Sequence, residues 1–156
     1  MDLGLNGLKV FVTAGASGIG RQIVESFTQE GAIVSTCDVD QNALDELATA
    51  QPDIFAHYCD VSDSTAIQAL IRSEADRMGG LDCLVNNAGI AGPTAAIEDV
   101  DDAAWHQCLD ICLSSQFYCV KAALPYLRAS QNASIVNLSS AAGKYGFPLR
   151  APYAAA

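Results

Sequence analysis

Basic residues are scarce in this sequence: eight Lys and Arg stand against eighteen Asp and Glu, a formal net charge of −10. No basic run occurs, so the electrostatic footprint of a nucleic-acid-binding surface is missing, and an anionic ligand must be held by backbone amides rather than by a lysine patch. Long hydrophobic runs are missing too. No stretch reaches the roughly 18 apolar residues of a membrane span, and the opening Met-Asp-Leu-Gly-Leu has neither the charged segment nor the apolar run of a secretion leader. These absences predict a soluble, cytoplasmic protein with no membrane or nucleic-acid partner. The six cysteines (Cys37, Cys59, Cys83, Cys108, Cys112, Cys119) include no C-x-x-C, and His57 and His106 form no paired-ligand motif. No metal site is predicted, and free thiols in a reducing compartment account for the cysteines.

What is present suits one globular domain: 156 residues, 51% hydrophobic, with a mean hydropathy of +0.21, enough to build a sizeable core. Apolar runs rich in β-branched residues fall at 8 to 13 (LKVFVT), 32 to 37 (AIVSTC), 54 to 59 (IFAHYC), 81 to 86 (LDCLVN) and 134 to 138 (SIVNL). Amphipathic stretches separate them, the signature of a parallel sheet with crossover helices. Ile19, Ile23, Val24 and Phe27 recur at helical spacing before a stop at Gly31. A shorter helix is predicted over Gln41 to Ala50. Ile67, Leu70, Ile71, Ala75 and Met78 form a second stripe, with Ser62 as N-cap and Gly79-Gly80 as terminator. The longest pattern runs from about Asp101 to Ala129, with Trp105, Cys108, Leu109, Cys112, Leu113, Val120, Leu124 and Leu127 on one broad face and Pro125 expected to kink or reset it. Cys108, Cys112 and Cys119 on this helix read as packing, and His57 and His106 as structural or surface residues. Together these elements give an α/β fold: a doubly wound, Rossmann-like parallel sheet of five strands with helices on both faces.

Between the first strand and the first helix stands Thr13-Ala14-Gly15-Ala16-Ser17-Gly18-Ile19-Gly20. Glycines there let the backbone approach a phosphate group closely, and the amides and dipole of the helix N-terminus attract its charge. A tight turn alone is the plainer reading, which the strand-turn-helix context disfavours. Asp38 ends the second strand, eighteen residues after Gly20, where a carboxylate can accept both ribose hydroxyls of an adenosine and repel a 2′-phosphate. NAD is therefore favoured over NADP, and Ser17 brings no basic side chain to reverse that. The alternative is that Asp38 or Asp40 merely caps the next helix, which Asp40 can do by itself.

These motifs, in this order on these elements, resemble the short-chain dehydrogenase/reductase family across the whole chain. The turn is similar to the family's Thr-Gly-x-x-x-Gly-x-Gly, Asn86-Asn87-Ala88-Gly89 matches its Asn-Asn-Ala-Gly, and Asp60-Val61 sits where the family contacts adenine. The resemblance implies a cofactor site of Gly15, Ser17, Gly18, Ile19, Gly20, Asp38, Asp60, Val61, Asn87, Ala88 and Gly89. It also implies homodimers or homotetramers built through the long helix and its catalytic neighbour. The family's first glycine falls on Ala14, with Gly15 one place later. Its catalytic asparagine, which holds a helix distortion whose carbonyl positions a water in a proton relay, falls on Cys112, a weak hydrogen-bonder.

The resemblance further makes Tyr153 the acid/base and Ser140, thirteen residues earlier, the group that orients a substrate oxygen. Taken alone, Ser139 and Ser140 could be a polar strand end and Tyr153 a half-buried aromatic. A free tyrosine titrates near 10; in the family a lysine one helical turn on lowers that value and binds the nicotinamide ribose, and here position 157 would carry it. A chain ending at Ala156 would place a carboxylate there and raise the tyrosine pKa instead. The expectation is that residues 1 to 156 are one NAD-binding domain, incomplete at its C-terminus, from a protein of about 250 residues, a common domain size. The implied function is an NAD-dependent oxidoreductase acting on a secondary alcohol or ketone. The alternative is a catalytically silent NAD-binding or scaffold protein. Asn132-Ala133-Ser134 formally matches a glycosylation acceptor, but nothing places the chain in a secretory route.

Overall fold

Short continuous runs of β-branched and apolar residues form five strands in the computed structural model, which describes residues 3 to 156. Met1 and Asp2, the first residues of the N-terminal segment read above for a leader's character, lie outside the described residues. The strands are β1 (Lys9–Thr13), β2 (Ile33–Asp38), β3 (Phe55–Tyr58), β4 (Cys83–Asn86) and β5 (Ser134–Asn137). All pair in parallel in the order β3-β2-β1-β4-β5. Central β1 shows why the sheet needs two helical layers. Phe11 faces a cluster with Ile67, Ile71, Leu84, Cys119 and Leu127, while Val10 and Val12 face the other side with Val24, Val34, Leu47 and Val85. Helices α1 (Gly18–Gln29) and α2 (Gln41–Ala50) cover the second face. Helices α3 (Ser64–Met78) and α5 (Ser115–Ala129) cover the first.

Helix ends follow local chemistry. Asp40 caps α2 through Ala43 N, and Gly79, left-handed at φ 71°, ends α3. The cap of α3 is Asp63 rather than Ser62: the Asp63 carboxylate accepts from Thr65 N at 2.9 Å and Ala66 N at 3.0 Å. Ser62 turns back and donates to Asp60 Oδ1 from both its amide and its hydroxyl, a local alternative that removes it from the helix.

The stretch expected as one long helix is two. Helix α4 (Asp102–Leu109) passes into a π-helical turn, Asp110–Ser114, and then into α5. The extra residue of the π turn rotates the apolar face, so Leu113 is 49% exposed while Ser115, Cys119, Ala122, Ala123 and Leu127 are buried. Pro125 lies inside α5, which continues to Ala129. Its lost hydrogen bond is outweighed by packing of Ala122, Ala123 and Leu127 against α3. Ile19, expected on the buried face of α1, is 68% exposed. Among the described residues β5 pairs only with β4, and its apolar Ile135 and Val136 are exposed.

His57 on β3 belongs to a polar knot beneath the sheet edge. Glu74, 3% exposed, accepts from Ser35 Oγ at 2.7 Å and from Arg77 Nε at 3.0 Å, and lies 3.1 Å from His57 Nε2. Burial alone would push the Glu74 carboxyl up, but the hydrogen bonds from Arg77 and Ser35 and the adjacent His57 together hold it below its ordinary value. Its contribution to stability is therefore complete above the unfolded carboxyl pKa, about 4.3, and is lost as pH falls through the lower folded value. Glu74→Ala should cost about 2 kcal/mol in urea unfolding at neutral pH, because it takes the carboxylate partner from the Arg77 guanidinium and leaves the buried Ser35 hydroxyl only its longer contact with Phe55 O. The gap between parent and Glu74→Gln should narrow as pH drops from about 6 to about 3.

Candidate functional site

Strand order reverses between β1 and β4, and in open α/β sheets ligands bind beyond the carboxyl ends of strands at such a point. The glycine turn leaves β1 here and the Asn86-Asn87-Ala88-Gly89 segment leaves β4, and side chains tie the two together. Thr13 Oγ1 accepts from Asn87 N at 2.9 Å and Ala88 N at 3.0 Å. In return, Asn87 Nδ2 donates to Thr13 O and Ala14 O, each at 3.0 Å. A Cβ on Gly20 would run into Ala14 O and the Asn87 amide, so only glycine lets the first turn of α1 fold back onto this clamp.

The turn has one strained residue. Ala14, at the place of the family's first glycine, adopts φ 52°, a left-handed conformation unfavourable for a residue with a Cβ. Ser17, the N-cap of α1, makes no side-chain capping bond, and no acidic residue stands in the first turn. The positive end of the helix is thus presented without a side chain that satisfies it. Gly18 has φ 53° and nothing within 4 Å of where a Cβ would stand, so the turn is open on that side.

Asp38 stands at the end of β2 as expected. Its carboxylate accepts from Ala16 N at 3.1 Å, Val39 N at 2.8 Å and Asp40 N at 3.2 Å. A carboxylate has about four acceptor sites, so capacity remains for a ligand hydroxyl. Capping α2 falls to Asp40. Asp60 is exposed and accepts from Ser62, while the side chain of Val61 is buried in the core. In this segment any contact to a ligand would have to come from Asp60 or from backbone.

A cavity of about 380 Å³ opens beside the clamp. It brings together Ile19, Asn87, Ala88, Gly89, Cys112, Ser140 and Tyr153. Gly15, Ser17, Gly18, Gly20, Asp38, Asp60 and Val61 do not line it. They lie along the neighbouring strand ends and the first turn of α1. Side chains the sequence pattern did not single out also face the cavity: Ile90, Gln116, Asn137 and Leu138. Gln116 could have been found from its spacing, one helical turn after Cys112. Asn137 accepts from Asn86 Nδ2 at 2.8 Å across β4 and β5, a pairing that only the sheet register creates.

Ser140 caps a short 3₁₀ turn, Ala141–Gly143, and its Oγ accepts from Ala142 N at 3.2 Å. That leaves the hydroxyl proton available to donate. Tyr153 lies on α6 (Ala151–Ala155), started by Pro152 in its first turn, and is half-buried. Cys112 is not core packing: it sits in the π turn and exchanges contacts with Ile90. Ile90 N–H donates to its sulfur at 3.3 Å, and the thiol donates to Ile90 O at 3.4 Å. Cys108 and Cys119 are buried, and burial, with help from Cys59, pushes the Cys119 thiol up to about 12. Both read as neutral packing groups.

Comparison with known proteins places this geometry. A family model described as short chain dehydrogenase matches residues 9–156. A 3beta-hydroxysteroid dehydrogenase of Mediterraneibacter gnavus is 35% identical over 150 residues, covering 94% of this chain and 54% of that protein. A 2-dehydro-3-deoxy-L-rhamnonate dehydrogenase (NAD(+)) of a Sphingomonas species is 35% identical over 147 residues, covering 92% of this chain and 58% of that protein. Among solved structures, a short-chain dehydrogenase from Streptomyces avermitilis superposes with a TM-score of 0.87 at 32% identity, over 95% of this chain and 55% of that one. The chain thus spans a little over half the length of the relatives it matches.

The strain at Ala14 makes a direct prediction. Ala14→Gly relieves the left-handed conformation and should stabilise the fold by about 1 kcal/mol. That corresponds to a rise in melting temperature of roughly 2 to 4 °C in thermal unfolding. Gly20→Ala should instead disrupt the clamp and lower the melting temperature.

Proposed function

The chain belongs to the short-chain dehydrogenase family, and from that premise we propose that residues 1 to 156 form one NAD-binding Rossmann domain of an oxidoreductase that interconverts a secondary alcohol and a ketone. The observation that carries the reading is the sharing of one cavity by Ser140, Tyr153 and the Asn87-Ala88-Gly89 segment, at the reversal point of the strand order.

Bound NAD would supply the hydride acceptor, or the donor when reduced. The first turn of α1 fits its pyrophosphate, since Gly18, Ile19 and Gly20 offer backbone amides with no side-chain cap in competition. Asp38 accepts ribose hydroxyls and repels a 2′-phosphate, which supports NAD over NADP. The name of one relative includes NAD(+). Asp60 and Val61 are assigned to the adenine end, and Asn87, Ala88 and Gly89 to the cavity end. Moving a hydride at an alcohol carbon requires moving a proton at its oxygen. Tyr153 exchanges that proton, and Ser140, whose Oγ is already held by Ala142 N, donates its own proton to the same oxygen and fixes its direction. Assembly into a homodimer or homotetramer belongs to the same proposal, with exposed Leu113 and Phe117 beside the π turn as support. A cytoplasmic location belongs to it as well. No helix among the described residues is long and apolar enough to cross a membrane.

Cys112 at the family's asparagine position favours one second reading, a protein that binds NAD without turnover. The two separate in the full-length protein by calorimetry with NAD and by reduced-nicotinamide absorbance across secondary alcohols, including a 3beta-hydroxysteroid and a sugar acid. Tyr153→Phe should lower kcat by about 10² to 10⁴ while leaving NAD affinity unchanged. Asp38→Asn should weaken NAD binding about tenfold and raise affinity for NADP relative to NAD. A full-length protein that binds neither nucleotide overturns both readings, and NAD binding without turnover on any alcohol leaves only the second.

A further inference from the structure

The asparagine that holds the helix distortion in the family is here Cys112, yet the π turn Asp110–Ser114 is present. Two side chains from the following turn hold it. Ser115 Oγ donates to Ile111 O at 2.6 Å, and Gln116 Nε2 donates to Cys112 O at 2.8 Å. The same Gln116 nitrogen lies 3.5 Å from Leu138 O, at the end of β5 and two residues before Ser140. Both neighbours are carbonyls, so the donor end of the amide must face them. Gln116 also lines the cavity that Ser140 and Tyr153 share.

We propose that Gln116 is a positioning residue of this site: its amide fixes the direction of the Cys112 carbonyl and ties the π turn to the strand end that carries Ser140. A cysteine side chain cannot do this. Its thiol makes only weak hydrogen bonds, and here it exchanges two of them with the Ile90 backbone. A carbonyl oxygen has two lone pairs, so the single bond from Gln116 orients this acceptor without by itself exhausting it. The inference rests on the dehydrogenase reading above.

The test uses variants of the full-length protein. Gln116→Ala should lower kcat about three- to tenfold, the range of one net hydrogen bond, while NAD affinity stays at the parent value. It should also speed labelling of Cys112 by an aromatic disulfide reagent, read by peptide mass spectrometry, because the turn loosens from Ile90. Gln116→Glu supplies a readout that a purely structural role would not move. When protonated its carboxyl can still donate to Cys112 O, and when ionised it cannot, so its kcat should approach that of the parent as pH falls through the carboxyl pKa and drop above it. Adding Cys112→Asn to Gln116→Ala should restore most of the lost kcat. Turnover that Gln116→Ala leaves unchanged overturns the proposal alone, whereas absence of turnover in the parent overturns the dehydrogenase reading and this role with it.

Discussion

The reciprocal clamp between Thr13 and Asn87 is the interaction on which the rest of the site depends. It joins the ends of β1 and β4, the two strands between which the chain order reverses, with four hydrogen bonds between the segments that leave them. A cleft at this point tends to splay, because the segments on either side belong to different halves of the sheet. Here Asn87 Nδ2 takes the carbonyls of Thr13 and Ala14, and Thr13 Oγ1 takes the amides of Asn87 and Ala88. Backbone groups that would otherwise point into the crevice unpaired are satisfied by side chains. What remains to face a ligand is the first turn of α1, brought close by the missing Cβ of Gly20. With only eight basic residues in the chain, this backbone is the natural holder of an anion. No lysine or arginine lines the cavity beside it.

The parts of this architecture legible in the sequence are those governed by local chemistry. Each strand lies within or one residue beyond its apolar run, and α2 begins and ends where its pattern does. The stops at Gly31 and Gly79 use left-handed backbone that glycine adopts without strain. The α3 cap shows how narrow that legibility is. Ser62 and Asp63 are both competent caps, and the choice was settled by Asp60, whose carboxylate draws Ser62 into a turn of its own. Nothing in residues 62 and 63 alone encodes that competition.

The π turn was legible only through the family resemblance, which implies a helix distortion at residue 112, and not through the apolar spacing. Periodicity analysis follows apolar spacing, and one inserted residue leaves the composition of the stretch unchanged while rotating everything after it. Leu113, apparently on the buried face, turns outward, and Ser115, a polar residue on no predicted face, turns inward. Exposure of Ile19 has a similar origin. Its spacing is that of a core residue, but it occupies the open end of a helix whose first turn borders the cavity. Ile19 lines the cavity, and Leu113 and Ser115 flank Cys112 and Gln116, which also line it, so both departures from the amphipathic pattern fall beside the candidate site.

Asp38 joins the end of β2 to the glycine turn, and with it two parts of the nucleotide site proposed above. The carboxylate assigned to the ribose is itself an acceptor for Ala16 N, inside the glycine turn, as well as for Val39 N and Asp40 N. A small apolar residue at position 38 would remove the charge that repels a 2′-phosphate, and it would also leave three backbone amides without their acceptor. Each such loss costs about 1 to 3 kcal/mol when the group is buried. The turn would then relax at Ala16, two residues from the strained Ala14 and immediately before the helix N-terminus. Loss of NAD affinity in such a variant would therefore mix an electrostatic effect with a collapse of the cradle. An isosteric amide removes the charge and keeps one oxygen, which can go on accepting from Ala16 N or from Val39 N and Asp40 N but not from both sides, so it disturbs the cradle less than an apolar residue does. In the proposed site, nucleotide preference would thus be no detachable feature of the β2 end but a second use of a group that already holds the glycine turn in shape.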